Sequence, residues 1–170
     1  GRAGTIDFAR GTLKIGVAMP VPAIHQLKQW VLAEHRTDTS NDPIILDAPP
    51  GTACPVVETI RDTDFVLLVT EPTPFGLNDL KLAVGAVRML DIPMGLVINR
   101  SDLGDDRVRE YAFQEELPIL MEIPFDRQIA EAYSRGEMLV EVRPQWKDRF
   151  LELYDQIQHL AKHQKLNTKH

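Results

Sequence analysis

Asp47 stands at the end of the apolar run Pro43-Ile44-Ile45-Leu46 and just before the turn Ala48-Pro49-Pro50-Gly51. Residue types in this order read as a buried strand that stops at a carboxylate. In open α/β sheets the ligand crevice lies outside the carboxyl ends of the strands, which makes this a position for chemistry. A carboxylate there can orient a Mg²⁺-bound water beside phosphate groups, and Gly51 lets a backbone N–H approach them. It can equally cap an ordinary loop, because strand-end aspartates are common turn formers. Two later apolar runs end in polar residues in the same way: Gly95-Leu96-Val97-Ile98-Asn99 before Arg100-Ser101-Asp102, and Pro118-Ile119-Leu120-Met121-Glu122-Ile123 before Pro124-Phe125-Asp126.

These ends need elements to hold them. Phe65-Val66-Leu67-Leu68-Val69-Thr70 is an unbroken apolar run with the marks of a strand buried on both faces, closed by the rigid turn Glu71-Pro72-Thr73-Pro74-Phe75-Gly76. Leu80, Ala83, Val84, Val87 and Leu90 then fall on one helical stripe, stopped at Ile92-Pro93. Residues 105–116 form a charged helix candidate, and Ile129, Ala130 and Tyr133 suggest a short helix stopped by Gly136. Trp146, Phe150, Leu153, Ile157 and Leu160 make one stripe of a final helix. This repeated alternation predicts an α/β fold with a mostly parallel sheet flanked by crossover helices. Upstream, residues 1–18 read as a modest hairpin with Gly11 as its turn, Ile24, Leu27, Val31 and Leu32 as a helix, and residues 36–42 as a polar loop. Cys54 to Ile60 is a short helix candidate with Pro55 in its first turn, and Cys54 reads as a small, partly buried core residue. The expected organisation is a single domain over 1–162 and a flexible tail over 163–170.

The 170 residues suffice for one domain with a substantial core, and 44% apolar with 26% charged residues is the composition of a soluble globular protein. A net charge of −6 without a concentrated basic face argues against a nucleic-acid partner. No apolar run approaches the ~20 residues of a membrane span, and a cytoplasmic location is expected. The single cysteine excludes an internal disulfide and a cysteine cluster within these residues.

Four segments together, Ile44 to Val56, Leu68 to Leu80, Val97 to Asp102 and Ile123 to Asp126, resemble the MinD/ParA-like P-loop ATPases. They are most similar to the branch with an inserted ferredoxin-like iron–sulfur domain. The resemblance implies a partial P-loop NTPase fold, Rossmann-like in its layering. It implies that Asp47 is the Walker B carboxylate, acting on Mg²⁺ through water, and that Asp47 to Gly51 is the switch that senses the γ-phosphate. It further implies that Asn99 contacts adenine, helped by Asp102, and that Pro124 and Asp126 lie in the loop closing over the base. An Asn side chain suits that task, since it offers both a donor and an acceptor to a purine.

One part of the pattern is missing. A phosphate cradle needs a stretch of the form Gly-x-x-x-x-Gly-Lys-Ser/Thr at a helix N-terminus, and none occurs in this sequence. In the family that loop lies near the N-terminus, before the iron–sulfur insertion, so the chain is expected to be the C-terminal half of a longer ATPase. ATP or ADP with Mg²⁺ are the cofactors expected of the whole protein, and an iron–sulfur cluster only of the upstream domain; none is assigned to these residues alone. By itself the chain is expected to be inactive, as a nucleotide-dependent switch lacking its phosphate loop or, alternatively, as a non-catalytic interaction or regulatory module, with a link to iron–sulfur or redox chemistry among its readings. Without the central phosphate-loop strand, the edges of Ile44–Leu46 and Phe65–Val69 would be left open. A further strand is expected to fill the gap, either Leu13–Val17 or one donated by a second copy, so the expected partners are a homodimer or a complementing N-terminal half.

Overall fold

The computed structural model describes residues 1–4, 6–12, 20–35 and 42–167. The expected strand Leu13–Ala18, most of the polar loop before Asp42, and residues 168–170 lie outside the described residues. The chain divides into two compact units, Gly1–Asp62 and Thr63–His170.

In the first unit, β1 (Arg2–Ala3) and β2 (Ile6–Asp7) pair antiparallel, with Arg2 opposite Asp7. This pairing lies upstream of Gly11, and the glycine between its two strands is Gly4, at φ +62°. Helix α1 (Pro20–His35) begins on Pro20 and carries Pro22 in its first turn, where the missing N–H groups have no intrahelical partner to lose. Helix α2 (Cys54–Ile60) has Pro55 in its first turn and buries Thr59 and Ile60. Lys28 Nζ donates to the carbonyls of Glu58 at 2.8 Å and Arg61 at 2.7 Å, closing the C-terminal end of α2. Cys54 is exposed, against the expectation of a core position, because the first residue of α2 lies a full turn ahead of its buried end.

The segment around Asp47 departs from the expectation. Pro43 to Pro49 is irregular and belongs to neither of the two sheets. Ile45 is 89% exposed. An apolar run specifies burial, but it becomes a strand only where a sheet edge pairs with its backbone groups. Among the described residues, neither sheet pairs with Ile44–Leu46.

The second unit is built on a parallel three-stranded sheet in the order β3 (Val66–Thr70), β4 (Met94–Asn99), β5 (Ile119–Ile123). Register runs from Val66 opposite Met94 to Thr70 opposite Ile98, and from Leu96 opposite Ile119 to Asn99 opposite Ile123. Leu120 is an extra residue in β5, making a bulge between Leu96 and Val97 of β4. Alternate residues of β4 serve the two faces. Leu96 and Ile98 pack with Leu80 and Val84 of α3 (Pro74–Met89) and with Val108 and Ala112 of α4 (Arg107–Gln114). Val97 packs with Met121 and with Trp146 and Leu153 of α7 (Gln145–Asn167). The short helices α5 (Arg127–Ser134) and α6 (Leu139–Val142) add Ile129, Leu139 and Val140 to that second face. Each fully buried Leu or Trp side chain contributes at most roughly 1.5–3 kcal/mol, since the unfolded chain is already partly compact.

This is a mixed α/β fold with a parallel sheet flanked by helices, Rossmannoid in its general layering. Two details differ from the sequence reading. Val69 is 65% exposed, so β3 is not buried on both faces along its length; the helical cover that reaches Leu67 does not extend to its carboxyl end. Helix α7 continues to Asn167, past the point where a tail was expected. Among the described residues, β3 is hydrogen-bonded along one edge only.

Candidate functional site at the carboxyl edge of the sheet

The loops leaving β3, β4 and β5 form one edge of the second unit. The β3 loop is stiff. Pro72 is buried, Thr73 Oγ1 accepts the Gly76 N–H at 3.0 Å and caps α3, and Pro74 occupies the first turn of that helix. A Cβ on Gly76 would stand 2.3 Å from the Glu71 carbonyl, so glycine alone lets the helix start this close to the strand end. In the β4 loop Arg100 adopts φ +51° and Gly104 φ +87°. A Cβ on Gly104 would lie 1.8 Å from the Pro72 carbonyl, which makes Gly104 the point where the β3 and β4 loops meet backbone to backbone.

Asn99 is the last residue of β4 and is half-buried. Its Nδ2 donates to Glu71 Oε1 at 3.5 Å, and Arg100 reaches the same carboxylate, with Nη1 3.5 Å from Oε2. The Arg100 guanidinium also lies over the Phe125 ring, 5.9 Å from its centroid. Asp102 Oδ1 accepts the Phe125 backbone N–H at 2.6 Å. Pro124 is exposed, and Asp126 caps α5, with Oδ1 accepting the Gln128 N–H at 2.8 Å. Arg143 Nη2 is 3.3 Å from Asp126 Oδ2 and also bonds Gln128 Oε1. Asn99, Asp102, Pro124 and Asp126 therefore share one sheet edge, and both aspartates already hold loop backbone in place.

Behind that edge, Arg109 of α4 joins three segments. Its Nε and Nη2 grip the Glu122 carboxylate at 3.0 and 2.7 Å, Nη2 donates to the Ser101 carbonyl at 2.8 Å, and Nη1 bonds Asp106 at 2.9 Å. The hydrogen bonds from Arg109 hold the Glu122 carboxyl below its ordinary range, while partial burial opposes the shift. Asp105 is held low by its hydrogen bonds from Arg107, whose N–H it accepts at 3.1 Å in the first turn of α4.

Asp47 and Gly51 belong to the first unit. Asp47 is exposed, and Gly51 adopts φ +96° with no atom within 4 Å of where a Cβ would stand. Glycine is required there by backbone conformation, with open space around it. Among the described residues, no three His, Cys, Asp or Glu side chains are gathered to hold a metal ion. Mg²⁺ bound through phosphates commonly uses only one or two carboxylates, so a lone Asp47 fits an outer, water-mediated contact and no more than that. Sequence reading missed Glu71, Arg109, Glu122 and Arg143. A partial signal was present, since Glu71 and Glu122 are single charges ending or interrupting apolar runs. No helix of the described residues is long and apolar enough to cross a membrane.

The chain is 31% identical over 118 residues to the iron–sulfur cluster carrier protein of Aquifex aeolicus, covering 61% of this chain and 32% of that protein. It is 25% identical over 132 residues to the iron–sulfur cluster carrier protein of Methanocaldococcus jannaschii, covering 68% and 46%. The chain has weak, partial homology to the MinD-like iron–sulfur carrier ATPases. An uncharacterised protein of Methanocaldococcus jannaschii is 39% identical over 97 residues, which is 57% of this chain and 33% of that protein. The matches thus span about a third to a half of the length of these curated relatives. No family model matches the chain.

Proposed function

We propose that this chain carries the switch side and the base side of a nucleotide-dependent ATPase of the MinD type, within a P-loop fold whose phosphate-binding loop lies outside these residues. The observation that carries the reading is the gathering of Asn99, Asp102 and the Pro124–Asp126 loop at one carboxyl edge of a parallel sheet. That is where α/β folds bind nucleotides, and the homology to iron–sulfur carrier proteins points the same way.

In this reading Asn99 meets the base, while Asp102 and Asp126 hold the loops that flank it. Asp47 would hold Mg²⁺ through a water, and Gly51 would leave room for its N–H to meet the γ-phosphate. Bound Mg²⁺ would supply charge neutralisation at the phosphates. The chain's own residues position the base and report the state of the phosphate through the Asp47–Gly51 turn. An upstream iron–sulfur domain, a homodimer and a cytoplasmic location belong to the same proposal. So does the organisation of residues 1–162 as one half of the ATPase domain.

A second reading is favoured by one specific observation, the lack of any Gly-x-x-x-x-Gly-Lys-Ser/Thr stretch in these residues. The chain would then be a non-catalytic docking or regulatory module for a partner that holds the phosphates. Mixing the chain with an N-terminal half that bears the phosphate loop and assaying ATP hydrolysis separates the two. Restored turnover supports the ATPase reading, and association without turnover supports the module. Micromolar ATP binding by the 170-residue chain alone would contradict the assignment of the phosphate site to other residues.

A further inference from the structure

We propose that Glu71 is a specificity-determining positioning residue, which fixes the Asn99 amide so that the sheet edge presents a hydrogen-bond acceptor and selects adenine over guanine. The inference rests on the proposed role of Asn99 at the base. Thr70 and Ile98 are opposite one another in the last rung of the β3–β4 ladder, and Glu71 and Asn99 are the residues that follow them. Glu71 Oε1 lies 3.5 Å from Asn99 Nδ2. An ionised carboxylate only accepts hydrogen bonds, so the amide NH₂ turns toward it; the reversed amide would set two oxygens against each other.

Glu71 is itself held. Its carbonyl accepts the Thr73 N–H at 2.7 Å and lies against Gly76, and the following residue is the buried Pro72, which keeps the Glu71 backbone extended. Arg100 also reaches the carboxylate, with Nε 3.5 Å from Oε1. Asn99 Oδ1 is then turned away from Glu71 and fixed as the acceptor toward a ligand, beside the second Nδ2 proton. Adenine offers an exocyclic amine to that acceptor, whereas guanine presents a carbonyl oxygen in the corresponding place, and the mismatch leaves an acceptor unpaired.

The test uses adenosine and guanosine, which carry no phosphate and so do not depend on a phosphate loop. Each is titrated into the isotope-labelled chain while the Asn99 side-chain amide and the Phe125 backbone amide are followed by NMR. The unaltered chain should favour adenosine by about tenfold. In Glu71→Gln, whose amide can donate or accept, the preference should fall to about twofold or less with adenosine binding largely retained. An unchanged preference in Glu71→Gln, or a preference for guanosine in the unaltered chain, overturns the role of Glu71 and leaves the nucleotide reading standing. If neither nucleoside perturbs the unaltered chain, the base-side reading fails and this inference with it. Should Glu71→Gln not fold, nuclear Overhauser contacts in the unaltered chain decide the orientation. Contacts from the Asn99 Nδ2 protons to the Glu71 methylenes are expected, and their absence overturns the proposal.

Discussion

Asp102 Oδ1 accepts the Phe125 backbone N–H at 2.6 Å, so the loop leaving β4 is fastened to the loop leaving β5 by a single carboxylate. The bond is reinforced by the Ser101 N–H, which donates to the Ile123 carbonyl at 3.0 Å. Together with the Arg109 bridge from the Ser101 carbonyl to Glu122, they set the spacing of the two strand ends above the ladder.

Asp102→Ala should release the Phe125 loop without unfolding the unit. The loss of one charge-assisted, solvent-exposed hydrogen bond is worth about 1 kcal/mol. Hydrogen exchange at the Phe125 amide should speed up by about fivefold, with smaller changes at the β4 amides. Asp102→Asn keeps an acceptor and should show a smaller effect.

The Arg109–Glu122 pair predicts an acid-side loss of stability. The Glu122 value in the folded chain lies below the ordinary 4.5. Its contribution is therefore fully present above about pH 4.5 and is lost as pH falls through the folded value. Arg109→Met should flatten the pH dependence of the urea midpoint in that window. At pH 7 it should cost about 1 kcal/mol, because both side chains are about a third exposed and screened by solvent.

Gly104→Ala tests the contact between the β3 and β4 loops. The residue sits at φ +87°, and a Cβ would fall 1.8 Å from the Pro72 carbonyl. Steric displacement of that carbonyl together with the left-handed backbone should cost roughly 2–3 kcal/mol, read as a lowered denaturation midpoint. Gly51→Ala meets no neighbour and should cost less, about 1 kcal/mol.

In the first unit, Lys28→Met removes the ammonium that closes the end of α2. Amides in the last turn of α2 should exchange faster, and the unit should lose about 0.5–1 kcal/mol, since the bonds are largely exposed.

The parallel sheet of the second unit was legible because its strands are uninterrupted apolar runs and its helices carry clear stripes, as at Trp146 and Leu153. The run before Asp47 had the same appearance, and Ile45 is nonetheless 89% exposed. Side-chain pattern reports the environment a segment calls for, whereas a strand also needs a free row of backbone donors and acceptors beside it. The grip of Arg109 on Glu122 was not legible for a related reason. Its two residues come from a helix and a strand whose facing depends on the bulge at Leu120, and no local spacing encodes that. Leu139–Val142 was too short to show a helical stripe of its own.

The sequential order of β3, β4 and β5 has a kinetic consequence. Among the described residues, β3 and β4 each pair with the next strand in the chain, and each crossover is closed by the helix between them. Each closure spans a whole crossover helix, so this parallel sheet forms more slowly than a hairpin would, one crossover at a time. As the chain leaves the ribosome, β3 can wait for β4 and β4 for β5, and α7, made after all three, seals the second face around Val97 and Met121.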